Sequence, residues 1–276
     1  MNTETLDQPI VADVAVSAPA VVIESAAPAV AAVAEGPNPF IALGLDGALV
    51  RAVSDLGYTQ PTEVQAKVIP LAMGSGKADE ASIDLMVSSQ TGSGKTAAFL
   101  LPVLNTLIAQ KAIEAAAEQA EFERQRAQAA ASGEAAPKRA KRKNPMQSRN
   151  FKAAVPGALV LCPTRELAQQ VAQDAIELVK HCKNLRVANV VGGMPYQLQI
   201  AKLQNADLVV ATPGRLLDLQ RSLQIKLDKV QFLVVDEADR MLDLGFADDL
   251  EEVHQMTAQR KQTMMFSATF APRIQQ

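Results

Sequence analysis

Short apolar runs recur along the chain with room for a helix between them. The runs cover residues 83–87, 158–162, 185–191, 207–211, 230–235 and 263–266. Amphipathic stretches of helical length, such as 165–181 and 215–223, lie between most of them. Continuous apolar strands that alternate with helices are typical of a parallel sheet covered on both faces. The pattern therefore predicts an α/β fold, in which ligands bind beyond the carboxyl ends of the strands.

The first 36 residues differ from this pattern. They are rich in Ala, Val and Pro and contain five acidic residues but no Lys or Arg. A secretory signal needs a basic start and a compact apolar block, and neither is present. We interpret residues 1–36 as a disordered acidic tail, and residues 37–276 as one nearly neutral domain.

A second biased stretch covers residues 110–152, with ten basic and five acidic residues. Its first part, 111–131, has helical propensity, and a basic run follows. The cations of that run are Lys138, Arg139, Lys141, Arg142 and Lys143. We predict an insertion whose basic run is either a solvated linker or a contact for nucleic-acid phosphates.

Composition narrows the function further. The 276 residues carry a net charge of −3, which excludes a protein that binds nucleic acid through a uniformly basic surface. Two cysteines, Cys162 and Cys182, exclude a disulfide scaffold and favour a reducing, cytoplasmic location. Since no unbroken apolar run reaches about 18 residues, we expect no membrane span.

The most informative motif is the glycine-rich string Ser89-Gln90-Thr91-Gly92-Ser93-Gly94-Lys95-Thr96, which lies between a strand and a helical stretch. In a P-loop, glycines allow backbone N–H groups to wrap phosphate oxygens. A lysine reaches the phosphates and a hydroxyl reaches Mg²⁺. Ser89 stands where the strict pattern has glycine, but the strand–loop–helix context supports the assignment.

A second candidate is the acidic turn Asp236-Glu237-Ala238-Asp239, which follows an apolar strand. A carboxylate at a strand end can support Mg²⁺, and the next one can activate an attacking water. Alone this string could be a cluster that caps a helix. Together with the P-loop it predicts nucleotide hydrolysis.

These motifs resemble the first RecA-like domain of DEAD-box ATP-dependent RNA helicases, because others follow in the family's order. The Q motif matches residues 57–65, motif Ia 163–168, the glycine doublet 192–193, motif Ib 212–215 and motif III 267–269. The motifs look most like those of bacterial RhlE-type members. The resemblance covers roughly residues 40–269 without 110–152, and it implies a RecA-like P-loop domain with a mainly parallel sheet.

The resemblance implies ATP as nucleotide and Mg²⁺ as cofactor. Gln65 is expected to form hydrogen bonds with the edge of the adenine base. Tyr58 or Phe40 is expected to pack on the adenine ring, although both aromatics could instead be core residues. The implied nucleotide-binding set is Phe40, Tyr58, Gln65, Thr91, Gly92, Ser93, Gly94, Lys95 and Thr96. The implied catalytic set is Lys95, Asp236 and Glu237, with Glu237 as general base. Thr96 and Asp236 would hold the metal, Asp236 through water.

The same resemblance implies an RNA-binding side. Its residues are Pro163, Thr164, Arg165, Gly192, Gly193, Thr212, Pro213, Gly214 and Arg215. For Arg165, an ion pair within the domain is the alternative. Thr212 can cap a helix that begins at Pro213, which aims free N–H groups at a phosphate. Ser267 and Thr269 resemble the motif that couples hydrolysis to unwinding, through contacts with the acidic turn.

The family also has a second RecA-like domain with its own arginine, and we expect that domain to be absent from these 276 residues. Two functions remain open. The chain is the ATP-binding part of an RNA helicase, or by itself a nucleotide- and RNA-binding module without turnover. A DNA helicase of the same superfamily fits the Q motif and the acidic turn less well.

Overall fold

The computed structural model describes residues 21–24, 38–74, 83–90, 92–132, 135 and 152–269. Seven parallel strands form one sheet in the order β1-β2-β7-β6-β3-β5-β4. They are β1 (Val21–Glu24), β2 (Leu85–Ser88), β3 (Ala158–Leu161), β4 (Val187–Val190), β5 (Leu208–Ala211), β6 (Phe232–Val235) and β7 (Gln262–Ser267). The parallel α/β sheet predicted from the sequence is therefore confirmed.

Eight α-helices and one short 3-10 helix, Pro39–Leu43, are found in the described residues. The helices are α1 (Gly47–Asp55), α2 (Glu63–Met73), α3 (Lys95–Ser132), α4 (Arg165–Leu178), α5 (Tyr196–Leu203), α6 (Pro213–Arg221), α7 (Ala238–Asp243) and α8 (Ala247–Met256). Each of the six predicted apolar runs coincides with a strand. Four strands are shorter than their runs, whereas β2 extends one residue past its run and β7 one residue past each end of its run.

Helices cover both faces of the sheet. Neighbouring residues of a strand point to opposite faces, so one strand contributes side chains to two cores. Val160 of β3 packs in one core with α1 to α4, while its neighbours Leu159 and Leu161 pack in the other with α5 to α8. The central strands β3, β5 and β6 are buried along their whole length. This double burial explains their continuous apolar sequences.

Four residues that we expected in a disordered tail, Val21–Glu24, instead form the strand β1. It pairs in parallel with β2, with Val21 opposite Leu85 and Glu24 opposite Ser88. Without β1, one side of β2 would present unpaired backbone groups at the sheet edge. The run Val21-Val22-Ile23 has the β-branched residues that favour such pairing. The remaining residues of the predicted tail lie outside the described part of the chain.

The helix α3 has 38 residues and two environments. Its first part is buried around Leu100 and Leu104, whereas Ile113 is 69% exposed. Near the boundary, Lys111 Nζ lies 2.9 Å from Asp207 Oδ1. The predicted helical segment 111–131 is thus a continuation of α3, and the basic run 138–143 lies outside the described residues.

The same helix is also long and apolar enough to meet the length and composition criteria for a membrane span. Half of its most apolar window is buried inside the protein, as in the core helix of a soluble protein. We therefore read it as a core helix.

Candidate functional site

The candidate site lies at the carboxyl edge of the sheet, where parallel strands bring the following loops together. The P-loop follows β2, motif Ia follows β3 and the glycine doublet follows β4. Motif Ib follows β5, the acidic turn follows β6 and motif III follows β7. Strand order separates these loops into two groups. The P-loop after β2, motif III after β7 and the acidic turn after β6 belong to three adjacent strands. Motif Ia after β3, motif Ib after β5 and the glycine doublet after β4 belong to the next three.

The P-loop depends on backbone conformations that glycine adopts without strain. Gly92 has φ +83° and Gly94 has φ +81°. A Cβ at Gly94 would lie 2.6 Å from Gln65 Nε2 and 3.0 Å from Thr62 Oγ1. The hydroxyls of Ser89 and Ser93 are buried without a partner among the described residues. Thr91 lies outside the described residues, and Thr96 is the second residue of α3.

Gln65 lies beside the P-loop and is held by two hydrogen bonds. Its Oε1 accepts from Thr62 N at 3.0 Å, which completes a capping box at the start of α2. Its Nε2 donates to the Gly94 carbonyl at 3.1 Å. Both amide groups are therefore engaged, and the residue is only 4% exposed. Each group retains capacity for one further hydrogen bond, because the amide nitrogen has two N–H groups and the oxygen two lone pairs.

The two aromatic residues expected at the adenine ring differ in exposure. Phe40 is fully buried in the core, so its ring has no open face in this conformation. Core packing, the alternative considered for it, describes its position here. Tyr58 is 39% exposed. Burial, together with the negative charges of Asp174 and Glu177 on α4, raises the pKa of Tyr58.

Lys95 joins the P-loop to the acidic turn. Its Nζ lies 3.4 Å from Asp236 Oδ1 and 3.8 Å from Glu237 Oε1. The lysine side chain is 10% exposed and that of Asp236 is fully buried. A second cation, Arg240, approaches the other oxygen of Glu237 at 3.4 Å. The three predicted catalytic residues are thus brought together in one place.

Asp236 meets the requirements of a group that supports a cation. Its Oδ1 accepts from Glu237 N at 3.0 Å, but its Oδ2 is buried without a partner among the described residues. Burial raises the pKa of Asp236, while the positive charge of Lys95 opposes that shift. Because a buried carboxylate oxygen without a partner is unfavourable, a cation or a bound water at Oδ2 would stabilise it.

Glu237 adopts φ +52° and ψ +53°, the left-handed conformation that glutamate rarely occupies. Such a backbone costs about 1–3 kcal/mol and persists where the surrounding structure imposes it. Here it begins α7 and turns the chain directly after β6. The strain therefore coincides with the residue expected to act as general base.

Motif III contacts the last residue of the acidic turn. Both the backbone N–H and the hydroxyl of Thr269 donate to Asp239 Oδ2, at 3.1 and 3.0 Å. Ser267 Oγ donates to the Thr269 carbonyl at 2.6 Å. Burial raises the pKa of Asp239, but hydrogen bonds from Arg240 N–H and Thr269 outweigh it and hold the pKa below its usual value. The contact expected between motif III and the acidic turn is therefore present, and Asp239 is the residue that makes it.

On the expected RNA side, Arg165 lies against the glycine doublet. A Cβ at Gly193 would be only 2.5 Å from Arg165 Nη1, and Gly193 has φ +81°. Pro163 and Thr164 precede α4, and the Thr164 hydroxyl accepts from Leu167 N at 3.3 Å. Among the described residues, no carboxylate lies within ion-pair distance of Arg165. The structure therefore does not support the alternative of an ion pair within the domain.

Motif Ib forms the start of α6, with Thr212 at the cap position and Pro213 as first helical residue. The Thr212 side chain makes no capping hydrogen bond. The guanidinium carbon of Arg215 lies 5.7 Å from the centroid of the Tyr196 ring. Tyr196 was not among the predicted site residues, because nothing local in the sequence links it to a residue 19 positions later.

The chain is similar to known proteins in both sequence and fold. The family model described as DEAD/DEAH box helicase matches residues 62–276. The chain is 42% identical over 241 residues to rice (Oryza sativa subsp. japonica) DEAD-box ATP-dependent RNA helicase 52A, covering 86% of this chain and 34% of the rice protein. It is 38% identical to Escherichia coli ATP-dependent RNA helicase SrmB, covering 83% of this chain and 42% of SrmB.

A solved structure gives the same result. The crystal structure of a hypothetical ATP-dependent RNA helicase from Sulfolobus tokodaii superposes with a TM-score of 0.61 at 33% identity, covering 83% of this chain and 53% of that one. The chain thus spans about a third to a half of the length of these relatives. The family model covers most of the chain, and the chain therefore belongs to the DEAD/DEAH box helicase family.

Proposed function

We propose that this chain is the ATP-binding first RecA-like domain of an ATP-dependent RNA helicase, which couples ATP hydrolysis to local unwinding of an RNA duplex. The observation that carries the proposal is the position of Lys95, between the P-loop and the two carboxylates of the acidic turn. A bacterial RhlE-type member is the finer form of the proposal, supported by the similarity of its motifs. A cytoplasmic location is also proposed, since Cys162 and Cys182 are free thiols.

In this proposal Lys95 exchanges partners during binding. Its ammonium lies between Asp236 and Glu237. Phosphate oxygens are stronger competitors, because they offer several charged acceptors and the N–H groups at the start of α3 bind them too. Glu237 then loses a neighbouring cation and becomes a better acceptor for a proton from water.

Thr96 and Asp236 are the residues that would hold Mg²⁺, with the unpartnered Oδ2 of Asp236 acting through a water. When bound, the ion neutralises charge on the phosphate oxygens. Gln65 reads the adenine edge with its second N–H and lone pair while its first N–H is bonded to the Gly94 carbonyl, which ties base recognition to the P-loop. Tyr58 is the aromatic residue with an exposed surface available to the base.

The RNA side consists of motif Ia, the glycine doublet and motif Ib, on the strands β3, β4 and β5. Arg165 and Arg215, with the free N–H groups of α6, contact phosphates and so position RNA without reading its sequence. Ser267 and Thr269 transmit the state of the acidic turn, through the two hydrogen bonds that Thr269 donates to Asp239.

The second candidate function is a module that binds nucleotide and RNA without turnover. It is favoured by the span of the chain, which covers 34% of the rice relative and 42% of SrmB. The arginine that the family supplies from its second domain stabilises phosphate charge and is worth about 10³–10⁵ in rate. We expect the 276 residues, tested by themselves, to bind ATP and to hydrolyse it slowly.

A comparison of binding and turnover tests the proposal. The 276-residue chain is titrated with a fluorescent ATP analogue, and phosphate release is then measured with and without single-stranded RNA. We expect saturable binding that Lys95→Ala weakens, and release far below the rate of order 1 s⁻¹ typical of working enzymes. No binding would refute the proposal, while fast RNA-stimulated release would refute the expectation of slow turnover.

A further inference from the structure

Arg215 carries a charge that the surrounding protein does not neutralise. Within the described part of the chain no carboxylate pairs with its guanidinium, and its Nε is buried without a partner. Another cation of the same helix differs in this respect, because Arg221 Nη2 lies 2.6 Å from Glu252 Oε2. A guanidinium kept partly buried and unpaired is poised to bind an anion.

The group that contacts this guanidinium is an aromatic ring. Tyr196 is the first residue of α5, and its ring centroid lies 5.7 Å from the Arg215 guanidinium carbon. That distance is within the roughly 6 Å over which a cation is attracted to the face of a ring. A ring attracts the cation without cancelling its charge, so the guanidinium remains attractive to phosphate.

The ring is itself held in place by α6. The Tyr196 hydroxyl hydrogen-bonds Ser222 Oγ, and Ser222 is the residue that ends α6. Ser222 in turn donates to the Asp218 carbonyl at 2.7 Å. Tyr196 is therefore fixed by its face to the first turn of α6 and by its hydroxyl to the last turn. Its position depends on the position of that helix.

The start of α6 adds donors beside the guanidinium. The nine-residue helix begins with Pro213, and the Thr212 side chain caps none of its N–H groups. The first N–H groups of a helix have no partner within the helix, and they favour anions. The backbone N–H of Gly214 and Arg215 and the Arg215 side chain can thus contact one phosphate together.

We propose that Tyr196 is a positioning residue for RNA: its ring holds the Arg215 guanidinium, through a cation–π contact, at the phosphate-binding start of α6. This inference rests on the proposed RNA-binding function and adds a residue to it. A side chain ordered before binding loses less conformational freedom when the phosphate arrives. Loss of the ring should therefore weaken RNA binding by roughly three- to tenfold.

The first experiment measures binding of a fluorescent oligouridylate to the whole chain. Tyr196→Phe keeps the ring but loses the hydroxyl bond to Ser222, so it should lose less RNA affinity than Tyr196→Leu, which should show the full predicted loss. Affinity for the ATP analogue and the melting temperature are measured for each variant. Replacement of Tyr196 by phenylalanines with increasing fluorination weakens the ring's attraction at nearly constant shape. The affinity for oligouridylate should then fall stepwise.

A double-mutant cycle identifies the partner of the ring. In a chain with Arg215→Gln there is no guanidinium to hold, so adding Tyr196→Leu should cause no further loss of RNA affinity. An equal further loss would overturn the inference, as would a fluorinated series with constant affinity. If the unaltered chain binds ATP but no oligouridylate, the proposed RNA binding itself fails. If it binds oligouridylate and every Tyr196 variant binds equally, only the role of Tyr196 is refuted.

Discussion

The ammonium group of Lys95 lies between the phosphate-binding loop and both leading carboxylates of the acidic turn. Its distances to Asp236 and Glu237, 3.4 and 3.8 Å, are too long for short ion pairs. Such loose contacts are readily exchanged for phosphate oxygens, which form shorter charge-assisted hydrogen bonds. At the scale of single residues, the three side chains therefore form a group with separable roles, one in binding and one in hydrolysis.

Substitution of these residues should separate the roles. Lys95→Ala should weaken ATP binding by about one to two orders of magnitude, because hydrogen bonds between charged groups contribute about 1.5–3 kcal/mol. Glu237→Gln keeps the shape of the side chain and should retain binding, while hydrolysis falls by about 10²–10⁴. Titration with the ATP analogue and single-turnover phosphate release measure the two effects. Equal losses of binding would contradict this division.

Gln65 should contribute to both base selection and stability. Gln65→Ala removes a bond to the Gly94 carbonyl and half of a capping box, so we expect a loss of about 1–2 kcal/mol in the free energy of unfolding. The preference for ATP over GTP should also fall. Gln65→Glu is the control, because its carboxylate still accepts from Thr62 N but cannot donate to Gly94. Unchanged selectivity in Gln65→Ala would exclude Gln65 from the base site.

At the scale of elements, the loops after β3 and β4 meet through one close approach. The side chain of Arg165, the first residue of α4, lies directly over Gly193. Only a residue without Cβ allows that contact, and φ +81° at Gly193 adds a second reason for glycine. The glycine doublet thus determines where a cation of the neighbouring loop can lie.

Gly193→Ala should therefore displace Arg165. A Cβ at this position would be 2.5 Å from Arg165 Nη1, and alanine at this φ is strained by about 1 kcal/mol. We expect weaker oligouridylate binding with unchanged ATP binding. Gly47→Ala in the first turn of α1 is the matched control, since nothing lies within 4 Å of its Cβ position. A wild-type RNA affinity for Gly193→Ala would contradict the role of this contact.

The turn after β6 and the end of β7 are linked by Asp239 and Thr269. The folded-state pKa of Asp239 is depressed, so its contribution to stability is fully present above the unfolded pKa and is lost as the pH falls through the folded value. Asp239→Asn should lower the unfolding free energy by about 1 kcal/mol at pH 7 and by less below pH 3, because the amide oxygen is a weaker acceptor. Denaturant unfolding at both pH values measures the difference. An equal loss at both pH values would contradict this account.

At the scale of the whole molecule, α3 runs from the carboxyl ends of the strands to their amino ends. It starts at Lys95 beside the acidic turn. Some 15 residues later, Gln110 exchanges two hydrogen bonds with Gln231, which precedes β6. At 1.5 Å per residue that span is about 22 Å. The exposed continuation of α3 therefore leaves the protein on the side away from the nucleotide site.

This geometry predicts that the basic run can be altered without effect on ATP binding. Its cations are Lys138, Arg139, Lys141, Arg142 and Lys143, all outside the described residues. If the run contacts RNA, changing all five to Ser or Gln should weaken RNA binding and reduce the slope of log affinity against log salt. Changing the acidic stretch Glu121 and Glu123 to Gln is a control for the same region. Unaltered RNA affinity and salt slope would identify the run as a linker.

Several strands and the P-loop were specified by residues that are neighbours in the sequence. The strands β3, β5 and β6 were recognisable because burial on both faces requires continuous apolar residues. The P-loop was recognisable because its glycines, lysine and hydroxyl act within eight consecutive residues. Local strings of this kind carry their chemistry wherever the chain places them, and the parallel sheet then brings their loops to one edge.

Contacts between distant residues were decided only by the tertiary structure. The amide of Gln65 binds Gly94, the ring of Tyr196 faces Arg215, Phe40 is fully buried, and β1 pairs with β2. No pattern within a short window specifies such contacts, because each depends on where two separate elements pack and which polar groups are left unpaired. Side-chain exposure and partner choice arise from packing, and packing is a property of the folded chain as a whole.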